Sequence, residues 1–269
     1  AAADPMAALT WANTTSIDLP RNLYKAQMQA IVTGFAKHDP AGAFQYVSGL
    51  DEGSDRALRF KSRLLNEVIE TQIRAGGVEQ ARATIMQMGD GPLKNSLQRE
   101  LVKEWAGFDP QSAAAYVRLQ GPAASDLTTS LITAWAVHDP AAAADWLQAV
   151  SPEDPALEQA STIITREWAR YDLAASSAWL NSLPASPHLD HAVATYTARA
   201  AHEAPATAMS WAESINHGQL RTNMMQQVAT RWQRDDPATF QAYLHQREFS
   251  DKQRRLLETA AARPPKPLP

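Results

Sequence analysis

Apolar residues recur along most of this chain at intervals of three and four, the spacing that one face of an α-helix requires. One representative run has its apolar residues on a single helix face: Leu93, Leu97, Leu101, Val102 and Trp105. Loops rich in Pro, Gly, Ser and Asp separate such runs, as at residues 89–92 and 151–155. No stretch shows the sustained alternation of apolar and polar residues that is typical of strands. The pattern therefore predicts an all-α protein.

A short motif returns within this helical pattern, and its clearest copy runs from Trp135 to Leu147. It consists of an aromatic residue, Ala, two variable residues, Asp-Pro, a small residue three after the Pro and an aromatic residue six after it. We call it the Asp-Pro motif. The Asp side chain can accept a hydrogen bond from the first turn of a helix, and Pro suits the first helical position because its missing N–H would have no partner. Since Pro also keeps the preceding residue out of the α conformation, the motif predicts the end of one helix and the start of the next.

The Pro position of this motif, here called the register position, recurs at intervals of 30 to 38 residues. The residues in it are Pro5, Pro40, Val78, Pro110, Pro140, Leu173, Pro205 and Pro237. A fixed period is typical of proteins whose repeats bury their apolar faces against their neighbours. We predict a right-handed superhelical solenoid of about eight two-helix repeats of about 33 residues. The predicted single domain covers residues 1–262, with repeats starting near 4, 39, 77, 109, 139, 172, 204 and 236, and is followed by a Pro-rich tail, 263–269.

The small and aromatic positions of the motif predict how the helices pack. Ala three residues after the register position would let neighbouring helices approach closely, as at Ala43, Ala113 and Ala143. All eight Trp residues occupy one of the two aromatic positions. We expect these indoles to fill the space between helices, the alternative being a surface cluster that stacks against a ligand.

The seventh copy of the motif departs from the others. Ala200 stands where four other copies have Trp, and Ala204 stands where the capping Asp is expected. The missing ring leaves space. We expect internal repacking, in which Tyr196 and the adaptable side chains of Met209, Met224 and Met225 fill that space. The alternative is a groove for a partner helix lined by Tyr196, Ala200, Met209, Met224 and Met225.

Candidate chemistry is sparse in this sequence. There is no Cys, which excludes a thiol nucleophile, a disulfide and a Cys-ligated metal. There is also no glycine-rich phosphate loop, Gly-x-Ser-x-Gly or His-Glu-x-x-His motif. A labile zinc site was considered at five residues whose spacing matches no established signature: His188, Asp190, His191, His202 and Glu203. We predict no catalytic residue, no cofactor-binding residue and no metal ligand. We therefore expect that the protein is not an enzyme and has no cofactor.

The charge balance bears on partners and location. The net charge of −4 provides no global attraction to nucleic acid, and no run of 18 apolar residues is present to span a membrane. Ala1-Ala2-Ala3 resembles what remains at a signal-peptidase site. We therefore expect an upstream signal or anchor to have been removed from a periplasmic or otherwise exported protein. A cytoplasmic protein with an arbitrary chain start is the alternative.

The helix-pair period resembles that of the tetratricopeptide class, although here Pro opens the first helix of each pair. The motif from Trp135 to Leu147 more closely resembles helical-repeat proteins of bacteria that are mostly uncharacterised. The resemblance implies a binding scaffold and carries over no catalytic residue. We therefore expect a non-catalytic scaffold or adaptor with a protein or peptide partner, which the expected export would place in the bacterial cell envelope. The alternatives are a superhelical accessory domain of a larger envelope hydrolase and a closed ring of helix pairs with an enzyme site inside. The Pro-x-x-Pro spacing in the tail would suit an aromatic groove of a partner, or the tail is a linker.

Overall fold

The computed structural model describes residues 7–11, 20–50, 53–121, 124–151 and 153–261. Across these ranges the regular secondary structure is entirely helical, which confirms the predicted all-α class. The chain divides into two compact units, Ala1–Gly121 (unit 1) and Pro122–Pro269 (unit 2), which are described separately. The single domain over residues 1–262 stays a prediction, and the Pro-rich tail lies outside the described residues.

Unit 1 contains residues 7–11, which are helical, and six further helices. Their bounds are α1 Arg21–His38, α2 Pro40–Ser48, α3 Asp55–Arg74, α4 Val78–Met86, α5 Pro92–Ala106 and α6 Pro110–Leu119. Unit 2 contains α7 Ser125–Trp135, α8 Pro140–Gln148, α9 Ala156–Trp168, α10 Leu173–Ser182, α11 Asp190–Ala200, α12 Pro205–Ser214, α13 Gly218–Asp235, α14 Pro237–Gln246 and α15 Asp251–Ala261. A 3₁₀ turn, Pro187–Leu189, precedes α11.

Every described register position is the first residue of a short helix of nine or ten residues, namely α2, α4, α6, α8, α10, α12 and α14. At five of these starts the motif Asp caps the helix, and its side chain accepts a hydrogen bond from a backbone N–H group three residues on. The N···O distances run from 2.8 Å at Asp39 to 3.1 Å at Asp109. The capping role predicted for the Asp-Pro motif is thereby confirmed. Ala204 occupies the capping position before α12, which has no side-chain cap.

Long and short helices alternate along each unit and pack in a regular order. In unit 1 the long helices α1, α3 and α5 lie side by side, and α2 and α4 each contact the long helix before and the long helix after. In unit 2 the row consists of α7, α9, α11, α13 and α15, with α8, α10 and α12 each packed between two of them. Each long helix therefore buries its apolar stripe against its neighbours in the row and against the short helices.

The aromatic positions of the motif meet in ring pairs within each helix pair. Examples are Trp135 with Trp146 and Trp168 with Trp179, whose ring centroids lie 6.5 Å and 6.2 Å apart. Four of the indoles are buried, at Trp135, Trp146, Trp179 and Trp232, and three are half-buried, at Trp105, Trp168 and Trp211. Trp11 contradicts the prediction, since it is 56% exposed.

Two charged side chains, the buried Lys61 and the half-buried Arg221, hold loops that follow short helices. In unit 1, the Lys61 Nζ of α3 donates to the carbonyl oxygens of Ser48 at 2.6 Å and Leu50 at 3.2 Å. In unit 2, the Arg221 Nη1 of α13 donates to the Ile215 carbonyl oxygen at 2.8 Å. Both interactions satisfy carbonyl groups that a helix leaves without partners at its C-terminal end. They also tie each short helix to the long helix that follows.

Three hydroxyl groups in the helices α9, α10 and α11 are fully buried without a hydrogen-bond partner among the described residues. They belong to Thr165, Ser176 and Thr197. Ser176 occupies the small position of the motif, where most other copies have Ala. A buried hydroxyl that has lost its water and gained no partner destabilises the folded state.

We therefore expect Ser176→Ala to raise the free energy of unfolding by about 1 kcal/mol, because the substitution removes an unpaired buried hydroxyl and leaves the Ala that other repeats use. Urea unfolding followed by circular dichroism measures this change. Ser177→Ala is the matched control, since the Ser177 hydroxyl donates to the Ala174 carbonyl oxygen at 2.9 Å. A Ser176→Ala protein less stable than the wild type would contradict the prediction.

Candidate functional site

An apolar groove of about 380 Å³ lies in unit 2, at the end of the helix pairs where α8 and α10 finish beside α9. Its volume falls within the range of pockets that hold small ligands or single side chains of a partner. Its apolar walls come from four successive elements, through Leu147, Val150, Leu157, Trp179, Leu183 and Leu189. We call this feature the α8–α11 groove.

The local sequence after α10 explains why the groove is open. The helix ends at Ser182, and Leu183 takes an extended conformation with φ −83° and ψ 144°. Pro184 follows, and a Pro disfavours the α conformation in the residue before it. The chain then crosses to the 3₁₀ turn, where the Ser186 hydroxyl accepts a hydrogen bond from the His188 backbone N–H at 3.3 Å. This extended crossing holds Leu183 and Leu189 apart and leaves the groove between them and α9.

The hydroxyl groups in the groove walls bond to their own helices. Ser161 Oγ donates to the Leu157 carbonyl oxygen and Ser182 Oγ to the Trp179 carbonyl oxygen, each at 2.7 Å. Trp179 is only 6% exposed and its ring packs against Trp168, so it forms a fixed part of the wall. The groove therefore presents a mainly apolar surface with an aromatic base.

The electrostatic surroundings of the groove are strongly one-sided. All of its lining residues lie in two segments, 119–165 and 171–198, that contain no Lys or Arg. The same segments contain eight acidic residues, namely Asp126, Asp139, Asp145, Glu153, Asp154, Glu158, Asp172 and Asp190. Glu153 is exposed, and Glu158, next to the wall residue Leu157, is half-exposed with its Oε1 2.7 Å from His191 Nδ1. Two of the eight, Asp139 and Asp172, cap the starts of α8 and α10 and so lie at the ends of those helices opposite to the groove. Glu153, Asp154, Glu158 and Asp190 lie in the loop before α9 and in the first turns of α9 and α11, next to wall residues, and give the groove an acidic rim.

The structure places the five residues of the predicted partner groove inside unit 2. Their exposed fractions are between 0% and 5%, for Tyr196, Ala200, Met209, Met224 and Met225. Tyr196, one turn before Ala200, supplies the ring that the motif lacks there, and its centroid lies 5.0 Å from that of Trp211. This arrangement matches the internal repacking that the sequence favours. A partner helix would reach these side chains only after α12 separated from α11 and α13, so the groove at this place stays a prediction.

The residues considered for a metal site have separate structural contacts. His188 lines the α8–α11 groove, His191 pairs with Glu158, and Arg199 Nη1 lies 2.7 Å from Glu203 Oε1. Asp190 is buried and accepts hydrogen bonds from Asn216 and His217. Throughout the described ranges, no group of three or more His, Asp or Glu side chains is arranged to hold a metal ion. No described helix combines the length and apolar character needed to cross a membrane.

Sequence reasoning did not locate the α8–α11 groove, although two signals for it are present in the chain. One is the pair of Pro residues at 184 and 187, which interrupts helix formation after α10. The other is the absence of Lys and Arg from the two segments that build the walls. Neither signal shows by itself that the segments meet. Comparison with protein-family models, with curated proteins and with solved structures finds no match to this chain.

Proposed function

We propose that this protein is a non-catalytic interaction scaffold that binds a protein or peptide partner. The proposed scaffold is a right-handed superhelical solenoid of about eight two-helix repeats that works in the bacterial cell envelope. The observation that carries the proposal is the regular alternation of long and short helices, with a short helix starting at every described register position. Repeat arrays of this kind offer extended surfaces for partners.

The packing supports this role in a second way. The polar groups at the loop ends, such as Lys61 and Arg221, hold neighbouring helices together. The α8–α11 groove, by contrast, is an apolar surface left open among these well-packed elements. Exposed apolar concavities on an otherwise closed protein are typical of interaction sites.

The proposal is tested by asking whether the purified protein forms a stoichiometric complex with a purified partner protein. Chemical cross-linking in an extract of the native host identifies candidate partners, and each candidate is purified and titrated by calorimetry. We expect at least one to bind with a Kd of about 1 μM or tighter, because weaker complexes would not persist as a scaffold assembly. The proposal fails if no purified candidate binds, or if the pure protein turns over a substrate with no partner present.

A further inference from the structure

We infer that the α8–α11 groove binds a basic peptide segment, with an apolar side chain seated in the groove and Lys or Arg residues on its acidic rim. This inference rests on the proposed scaffold function and names the chemistry of the partner.

The apolar part of the ligand follows from the groove walls. Leu147, Val150, Leu157, Trp179, Leu183 and Leu189 provide the contact surface, and the Ser161 and Ser182 hydroxyls are already bonded to carbonyl groups. The volume of about 380 Å³ suits one or two large side chains such as Leu, Met or Phe. The stable position of Trp179 against Trp168 means that such a side chain meets a preformed surface.

The basic part of the ligand follows from the charges around the walls. Eight acidic residues and no Lys or Arg occur in the two segments that supply every lining residue, whereas the whole chain has a net charge of only −4. Asp154 and Asp190 accept hydrogen bonds from backbone N–H groups. Glu153 is exposed, and Glu158, next to the wall residue Leu157, is half-exposed and pairs with His191.

The negative potential of the acidic rim favours some ligands of the groove over others. A ligand with Lys or Arg beside its apolar anchor is attracted at long range and completes ion pairs at the rim, whereas a nucleic acid or an acidic peptide is repelled. Clefts lined by one sign of charge concentrate oppositely charged ligands and speed their association. A basic amphipathic peptide is therefore the occupant that the walls and the rim both favour.

The probe is a displayed library of random peptides of about 12 residues, long enough to carry one anchor and flanking charges. Selection uses the wild-type protein, with depletion on Leu183→Gln, which places a polar group in the groove wall. We expect the enriched peptides to combine a large apolar residue with an excess of Lys and Arg. Enrichment of neutral or acidic peptides would overturn the inference, and so would a failure to enrich any peptide.

The affinities of the best peptide for the wild-type protein and for charge variants then test whether it binds in the groove. We expect Glu153→Lys/Glu158→Lys to weaken binding by about tenfold or more, because two attractive rim charges become repulsive. The control, Glu248→Lys/Asp251→Lys, makes the same change in net charge at two exposed positions outside the acidic segments and should leave the affinity within about twofold. Raising the salt concentration should weaken the wild-type complex and reduce the difference between the variants. Circular dichroism verifies that all variants are folded.

Equal weakening by both charge variants would show a nonspecific charge effect and overturn the assigned site. Self-association of the protein that Leu183→Gln abolishes, measured by light scattering, would make a second copy the occupant and also overturn the inference. If a native partner binds but the groove variants leave its affinity unchanged, the scaffold function stands and the inference fails. If the selected peptides bind as expected but no native partner is found, the groove chemistry stands and the scaffold function fails.

Discussion

Trp232→Ala is expected to lower the free energy of unfolding by about 3–5 kcal/mol, the usual cost of removing a large buried aromatic side chain. Trp232 lies near the end of α13 and is only 5% exposed. Its ring centroid is 4.8 Å from that of Tyr243 and 5.6 Å from that of Phe240, both in α14. The indole Nε1–H also donates to Thr239 Oγ1 at 2.8 Å. Ala would leave a cavity at the α13–α14 contact and remove this hydrogen bond.

Urea unfolding followed by circular dichroism measures the effect of Trp232→Ala on the free energy of unfolding. The midpoint of thermal unfolding is a second measure of the same effect. Trp232→Phe is the matched variant, because it keeps a ring against Tyr243 while removing the indole N–H, and we expect it to lose about 1–2 kcal/mol. Leu119→Ala, at a side chain that is 84% exposed, should change stability by less than about 0.5 kcal/mol. A loss below about 1 kcal/mol for Trp232→Ala would show that the ring pair is not part of the stabilising core.

Asp190→Ala is expected to lower the free energy of unfolding by roughly 3 kcal/mol, because it leaves buried donors without an acceptor. The Asp190 carboxylate is 4% exposed and accepts three hydrogen bonds. The backbone N–H of Asn216 and its Nδ2 contact Oδ1 at 2.9 Å and 3.1 Å, and the backbone N–H of His217 contacts Oδ2 at 2.7 Å. Asp190 thereby joins the start of α11 to the loop between α12 and α13.

The Asp190 contribution should also depend on pH. Burial by itself would raise the pKa of Asp190, but the donors of Asn216 and His217 outweigh it and hold the pKa below its ordinary value. A depressed pKa in the folded state means that the stabilisation is complete above the unfolded pKa of about 3.9. It is lost as the pH falls from there through the lower pKa of the folded state.

We therefore expect the stability difference between the wild type and Asp190→Asn to be largest near neutral pH and to shrink below about pH 4. Thermal unfolding across this pH range measures it. Asp145→Ala, at an exposed position, is the control and should change stability by less than about 0.5 kcal/mol at neutral pH. A difference for Asp190→Asn that grows as the pH falls would contradict the assigned sign.

The helix starts were predictable because the forces that produce them are local. A capping Asp and the φ restriction of Pro act within four residues, so each described copy of the motif that has both residues begins a short helix, namely α2, α6, α8 and α14. Even copies without Pro keep the period, since Val78 and Leu173 also begin short helices. The role of the paired aromatics as packing residues was predictable for a related reason, because their positions in the motif place them on facing helix surfaces.

The position at which an apolar groove stays unfilled was not predictable from local sequence. At Ala200 the sequence left both internal repacking and a groove open, and Tyr196 packs against Trp211 there. The open apolar groove lies instead beside Leu183 and Leu189, where no copy of the motif is missing a ring. Whether a space is filled depends on the particular side chains of neighbouring helices. A repeat motif gives only the residue types that the repeats share, so it does not determine those contacts.

The amino-acid sequence by itself determined the all-α class, the helix starts and the acidic character of segments 119–165 and 171–198. Only the tertiary structure decided that those two segments enclose one apolar groove and that Asp190 bonds to residues 26 and 27 positions further on. Capping, periodicity and charge are properties of neighbouring residues and can be read along the chain. Enclosure and long-range hydrogen bonding arise from the packing of helices that are distant in sequence, and no local pattern encodes them.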